Sequence, residues 1–318
     1  MDNSASVGAA EPAAALPVHG GVGQPPPTGI LAGLLQTARP RQWAKNVLIF
    51  AAPVAGGLLT HDDVWWRLIA TFMAFCALSS GGYFVNDALD VERDRLHPRK
   101  RDRPIARGVV PRSLAFVAAV MLFVLGFALA AAMNWSVLAI AVAYVVLTVS
   151  YSVWLKHEPV VEMVWLAGAF VLRAAAGGES VGVHLSPWFT VVVSFGALFV
   201  VAGKRYAEQS AQGVSGPKTR DVLAQYPAGF LRFVWAMSAT IAITGYCLWA
   251  LLPGTGSVIP APWPEISIVP FVVGVLRYGM LLEAGTAEAP EDVFLRDRTM
   301  QVMGLAWVTI YLVGLYAF

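Results

Sequence analysis

Charge is what this chain has least of. Asp, Glu, Lys and Arg make up 13% of its 318 residues while 57% are hydrophobic, and the mean hydropathy is +0.63. That balance excludes a soluble domain of this length and implies a polytopic membrane protein. Cysteine is nearly absent, and Cys76 and Cys247 both fall in apolar segments. A disulfide framework and a thiolate metal site are therefore excluded, which leaves two small buried hydrophobes. The first 27 residues contain Pro25-Pro26-Pro27 and few large apolar side chains, so they are expected to form a disordered tail. They also lack the basic start and apolar core of a cleavable signal, so insertion is expected to rely on the first membrane span. Residues 28–318 are then one transmembrane domain, and a nucleic-acid partner is not expected.

Apolar runs long enough to cross a bilayer number nine: 44–60, 65–86, 113–132, 135–154, 159–178, 186–203, 228–252, 264–283 and 299–318. The expected class is an all-α integral membrane protein with nine transmembrane helices. Basic residues collect in alternate loops: Arg39, Arg41 and Lys45, eight between Arg93 and Arg112, Lys156, Lys204 to Arg220, and Arg296 with Arg298. The intervening loops, around His61–Asp63, Met133–Asn134, Glu179–His184 and Pro253–Trp263, have no Lys or Arg, although Arg67 sits just inside span two. By the positive-inside rule the chain is a multi-pass protein of the cell (inner, or plasma) membrane with its N-terminus and basic loops in the cytoplasm.

On that basic side lies a compact acidic cluster, Asn86, Asp87, Asp90 and Asp94. Spacings of i, i+3 and i+7 put the three carboxylates on one helix face, where they can converge on a hard cation. Mg²⁺ takes one or two carboxylates and completes its shell with water and substrate phosphate, so the cluster predicts a Mg²⁺-bound diphosphate ligand. The bland alternative is a solvated charge run in which Asp and Arg merely pair. Tyr151 with Lys156, and Lys204-Arg205 with Glu208, add cations that complement phosphate oxygens on the same side. Charges inside spans are costly, which singles out Glu162, Arg173, Arg232 and Arg277. Glu162 and Arg232 lie near a membrane face and can snorkel. Arg173 lies deeper, and an interior pairing or a substrate contact is expected of it.

These residues carry a family resemblance. Asn86-Asp87-x-x-Asp90-x-x-x-Asp94 resembles the first Asp-rich motif of the UbiA superfamily of intramembrane prenyltransferases, whose members place nine helices around a central cavity open to lipid. The run Arg39 to Asn46 (including Lys45), His97-Pro98, Lys100 and Arg103 to Gly108, Tyr151-Ser152 with Leu155-Lys156, Arg173 with Gly177, Lys204-Arg205 with Glu208, and Pro290 to Arg298 resemble one branch. Its members transfer 5-phosphoribosyl from phosphoribosyl pyrophosphate to a polyprenyl (decaprenyl) phosphate, a step towards the lipid-linked arabinose donor of cell-wall polysaccharide. The likeness runs over about residues 35–318.

One departure separates the branches. Members that ionise a prenyl diphosphate carry a second Asp-rich motif after helix six, where this chain has Lys204-Arg205 and only Glu208 is acidic. One acidic and one basic cluster suit a donor with phosphate at both ends. The resemblance thus implies Mg²⁺ at Asn86, Asp87, Asp90 and Asp94, and substrate contacts at Lys45, Lys100, Arg103, Tyr151, Lys156, Arg173, Lys204, Arg205 and Glu208. The lipid phosphate is ionised at neutral pH, so no catalytic His is expected, although His97 and His157 lie on the right side. Two other readings stand beside this one: a UbiA-type prenyltransferase acting on an aromatic or quinone precursor, and a membrane transporter. Inverted repeats with matching broken helices, which would favour the transporter, are not visible. A homo-oligomer is compatible with the sequence, since small residues such as Gly168 and Ala169 serve internal and external packing equally well.

Overall fold

The computed structural model describes residues 29–98, 100–215, 221–252, 259–285, 293 and 296–316. The expected tail, 1–27, lies outside the described residues. Among them all regular structure is helical: α1 (Ile30–Ala38), α2 (Ala51–Ala55), α3 (Asp62–Leu89), α4 (Val91–Leu96), α5 (Arg112–Met133), α6 (Trp135–Val153), α7 (Val161–Ser180), α8 (Pro187–Ser215), α9 (Phe230–Leu251), α10 (Trp263–Glu283) and α11 (Arg298–Tyr316). Five 3₁₀ segments join them, the longest being Pro40–Phe50. Eight helices, α3 and α5 to α11, are long and apolar enough to cross a membrane. They coincide with the second to ninth expected spans to within a few residues, except that α8 runs on well past 203 to Ser215. The chain is a multi-pass membrane protein.

The expected first span, 44–60, takes another form. Pro40 starts an 11-residue 3₁₀ segment that ends at Phe50, and α2 adds five residues containing Pro53. A 3₁₀ helix rises about 2.0 Å per residue against about 1.5 Å for an α-helix, so the two pieces together reach roughly 30 Å, about one hydrocarbon thickness. This thinner rod lies directly on α7. A Cβ at Gly177 would overlap the backbone carbonyl of Ile49, so only glycine permits the contact.

Lipid and protein share the helix surfaces unequally. Val117, Val120, Met121 and Val124 of α5 are exposed, as are Leu276 of α10 and Leu305 of α11. Large apolar groups in such numbers are stable when lipid covers them. α3 and α7 are the most enclosed of the spans. Leu68, Phe75 and Leu78 of α3 pack with Tyr144 of α6 and Ala176 of α7 in the largest apolar cluster. Above that cluster α3, α6, α7 and the Pro40–Phe50 segment leave a cavity, and the loops that follow α3, α4 and α6 form its rim.

Candidate active site

The acidic cluster sits where α3 gives way to α4. Asp90, at φ −91° and ψ 9°, breaks the helix for one residue. Even so, its N–H bonds the Asn86 carbonyl at 2.9 Å and the Asp94 N–H bonds the Asp90 carbonyl at 2.8 Å. The i, i+4 register therefore survives the break, which keeps the three carboxylates on one side as the spacing predicts.

They do not converge on one point. Asp87 and Asp94 share an arginine, while Asp90 is held apart by a lysine. Arg39 donates to both Asp87 oxygens at 2.7 and 3.0 Å, and Arg103 bridges Asp87 at 3.0 Å and Asp94 at 2.7 Å. Lys156 grips both Asp90 oxygens at 2.9 and 3.0 Å. Among the described residues no group of three or more His, Cys, Asp or Glu side chains gathers as a metal site. Like charges at this spacing repel, and Arg39, Arg103 and Lys156 offset that repulsion. Burial also raises the Asp94 carboxyl above its ordinary value, against the pull of Arg103.

Asn86, Asp90 and Asp94 line a cavity of about 540 Å³, together with Lys45, Lys100, Arg103, Tyr151, Lys156 and Arg173. Nine of the thirteen residues expected at the site are thus brought to one chamber. Asp87 is not on its wall. It is 2% exposed and, behind the lining, anchors Arg39 and Arg103.

Lys204, Arg205 and Glu208 are likewise off the wall, contrary to expectation. Arg205 points between helices into Glu162, which is fully buried, with bonds of 2.6 and 2.7 Å, and reaches Glu208 at 3.0 Å. Its tie to the cavity is indirect, through the Tyr151 hydroxyl at 3.4 Å. Of the other charges inside spans, Glu162 is therefore paired and does not snorkel. Arg232 meets Glu283 at an exposed surface and Arg277 meets Asp297. Arg173 has the interior partners expected of it: the Asn46 side-chain oxygen, the Tyr144 hydroxyl and the Ala169 carbonyl.

Among the lining residues outside the expected contact set, four are Arg or Tyr. Arg39 stands with its guanidinium 4.7 Å from the centre of the Tyr83 ring, and both line the cavity. Arg93 and Tyr144 complete the set. The signal for Arg39 was present, in a carboxylate at a membrane helix end that needs a counter-charge and an Arg-Pro-Arg sequence before the first span. His97 and His157 also line the chamber, and the Nδ1 of His97 accepts from the Lys100 N–H at 3.3 Å.

The donor set suits Mg²⁺. Asn86, Asp90 and Asp94 present hard oxygens on the cavity wall, and two carboxylates with an amide are the partial shell that this ion completes with water and phosphate. Asp87, enclosed by two arginines, fits a supporting role better.

The chain is 42% identical over 287 residues to a decaprenyl-phosphate phosphoribosyltransferase of Mycobacterium tuberculosis, covering 89% of this chain and 94% of that one. It is 40% identical over 295 residues to the enzyme of that name from Corynebacterium glutamicum, covering 92% and 89%. A UbiA homologue from Archaeoglobus fulgidus, solved with DMAPP and Mg²⁺, shares the fold at a TM-score of 0.68 and 15% identity, over 90% of this chain and all of that one. Residues 47–296 match the UbiA prenyltransferase family, and with a match of that extent the chain belongs to it.

Proposed function

We propose that this protein transfers 5-phosphoribosyl from phosphoribosyl pyrophosphate to a polyprenyl phosphate, in a cavity that faces the cytoplasm, with Mg²⁺ as cofactor. The observation that carries the reading is the make-up of a single chamber: Asn86, Asp90 and Asp94 line a space of about 540 Å³ together with Lys45, Lys100 and Arg103. Relatives 42% and 40% identical over most of the chain bear the name of that activity.

In this reading Asn86, Asp90 and Asp94 hold Mg²⁺, which when bound offsets the negative charge that develops on the departing pyrophosphate. Arg103 and Lys156 bond Asp94 and Asp90, and they are the nearest cations to turn to phosphate oxygens instead. Lys100, Lys45 and the Tyr151 hydroxyl add fixed donors around the same anion. Asp87 acts through others, holding Arg39 and Arg103 in place. In the transfer the bond from the anomeric carbon to the pyrophosphate oxygen breaks, and its electron pair leaves with pyrophosphate. A lipid phosphate oxygen, already ionised, forms the new bond from the opposite face, so the configuration inverts and no general base is required. Positive charge passing through the ribose would be steadied by a carboxylate of the same cluster. The polyprenyl tail stays in the apolar space between helices, where its burial needs no polar partner.

Purified protein given phosphoribosyl pyrophosphate, a polyprenyl phosphate and Mg²⁺ should release pyrophosphate and form phosphoribosyl lipid one for one, and chelation of the metal should stop both. Turnover of a prenyl diphosphate with an aromatic acid, in place of that reaction, would overturn the assignment.

A further inference from the structure

Arg173 is a buried charge inside a span, and among the described residues no carboxylate pairs with it. It lies twelve residues into α7, roughly 18 Å along the helix from Val161. It is 5% exposed and lines the inner part of the cavity. All its hydrogen-bond acceptors are neutral: the Asn46 side-chain oxygen at 2.7 Å, the Tyr144 hydroxyl at 2.7 Å and the Ala169 carbonyl at 2.8 Å. Its guanidinium also lies 4.8 Å from the centre of the Tyr144 ring and 5.6 Å from that of Phe170. No ion pair among the described residues includes it, whereas Arg39, Arg103, Lys156 and Arg205 each have a carboxylate.

A buried cation held in place by neutral groups retains its full charge without a counter-ion, which is costly in a low-dielectric setting. A guanidinium has five N–H groups, and the bonds to Asn46, Tyr144 and Ala169 use three. Two donors remain on a planar fork fixed at the wall of a ligand chamber, which is the geometry that recognises a phosphoryl group.

We infer that Arg173, steadied by Tyr144 and Asn46, is a phosphoryl-binding subsite at the inner end of the cavity, distinct from the acidic rim. Resting on the function proposed above, the phosphoryl is the 5-phosphate of the donor or the phosphate of the lipid acceptor. Each source can be offered alone, so the two are separable.

The full chain in detergent, with chelator present, can be titrated with phosphoribosyl pyrophosphate, a short-chain polyprenyl phosphate or inorganic phosphate while thermal unfolding is followed, since a ligand that binds only the folded state raises its stability. Wild type should be stabilised by inorganic phosphate and by one of the two substrates. Arg173→Gln should bind that substrate more than about tenfold more weakly, and Arg173→Lys, which keeps the charge and loses the fork, about three- to tenfold more weakly. In turnover, the KM for the same substrate should rise in that order, with the other KM changed less than about threefold. Binding of both substrates and of phosphate within about threefold of wild type in Arg173→Gln would overturn the subsite and leave Arg173 a packing residue. Should Arg173→Gln not fold, Arg173→Lys decides alone: wild-type affinity for both substrates overturns the subsite, and a selective loss for one upholds it. If wild type makes no phosphoribosyl lipid yet phosphate stabilises it through Arg173, the function reading fails and the subsite stands.

Discussion

Arg205 and Arg173 sit on adjacent helices, 2% and 5% exposed, in surroundings of opposite kind. Arg205 is enclosed by Glu162 and Glu208, two acids for one base, and has no place on the cavity wall. Arg173 is enclosed by an amide, a phenol and a backbone carbonyl, and the cavity wall is where it ends. Where a membrane protein completes the charge balance itself, the group belongs to the scaffold. Where it leaves the balance open towards a chamber, the missing charge belongs to the ligand.

The contrast can be broken most directly at Glu162. Removing this carboxylate leaves Arg205 buried with Glu208 at a partly exposed position as its remaining acid, a situation that typically costs about 3–5 kcal/mol. Glu162→Ala should therefore lower the unfolding midpoint in detergent more than Asp90→Ala, Gly177→Ala or Lys204→Ala does, whatever ligand is present. A normal midpoint would show that the pair is not structural. Asp90→Ala is the opposite case. Its partner Lys156 is near the rim and can turn to solvent, so the fold should persist, yet transfer should fall by at least about 100-fold, or ~2.7 kcal/mol of barrier. Turnover within tenfold of wild type would remove Asp90 from the chemistry.

Gly177→Ala comes next in size. It pushes a methyl group into the backbone of Ile49, and overpacking of this kind costs about 1–3 kcal/mol unless the segment moves. Because the displaced segment carries Lys45 and Asn46, activity should drop together with the midpoint. An unchanged midpoint would mean that the 3₁₀ rod is free to shift on α7.

The spans were legible because each is a run of about 20 apolar residues, and α5, α6, α9 and α10 start and stop within two residues of the expected limits. The first was legible as a helical segment but not in its geometry, since 44–60 begins inside the 3₁₀ segment that Pro40 opens and runs past α2, and it is not among the eight helices long and apolar enough to cross. At the site, the Asp spacing predicted the shared face, and Arg103 and Lys156 were correctly brought to it. The pairings were hidden by separation: Arg39 is 48 residues from Asp87, and Arg205 is 43 from Glu162. A basic residue at a helix end looks the same in sequence whether it faces a chamber or a carboxylate on the next helix. That ambiguity is why Lys204-Arg205 suggested a phosphate wall, while the cations that line the cavity are Arg39, Lys45, Arg93, Lys100, Arg103, Lys156 and Arg173.

The smallest effect tests that last distinction. Lys204 precedes Arg205 on α8, and consecutive helical positions point about 100° apart, so it shares neither the direction of Arg205 nor a place on the cavity wall. Lys204→Ala should leave the KM for phosphoribosyl pyrophosphate within about twofold, equivalent to roughly 0.4 kcal/mol of binding. Arg205→Ala, in contrast, strands Glu162 and removes the bond to the Tyr151 hydroxyl, so it should lower stability and activity together. A tenfold rise in KM for Lys204→Ala with stability intact would mean that α8 turns its basic end into the chamber when the donor binds, and the division between scaffold cations and ligand cations would then fail at α8.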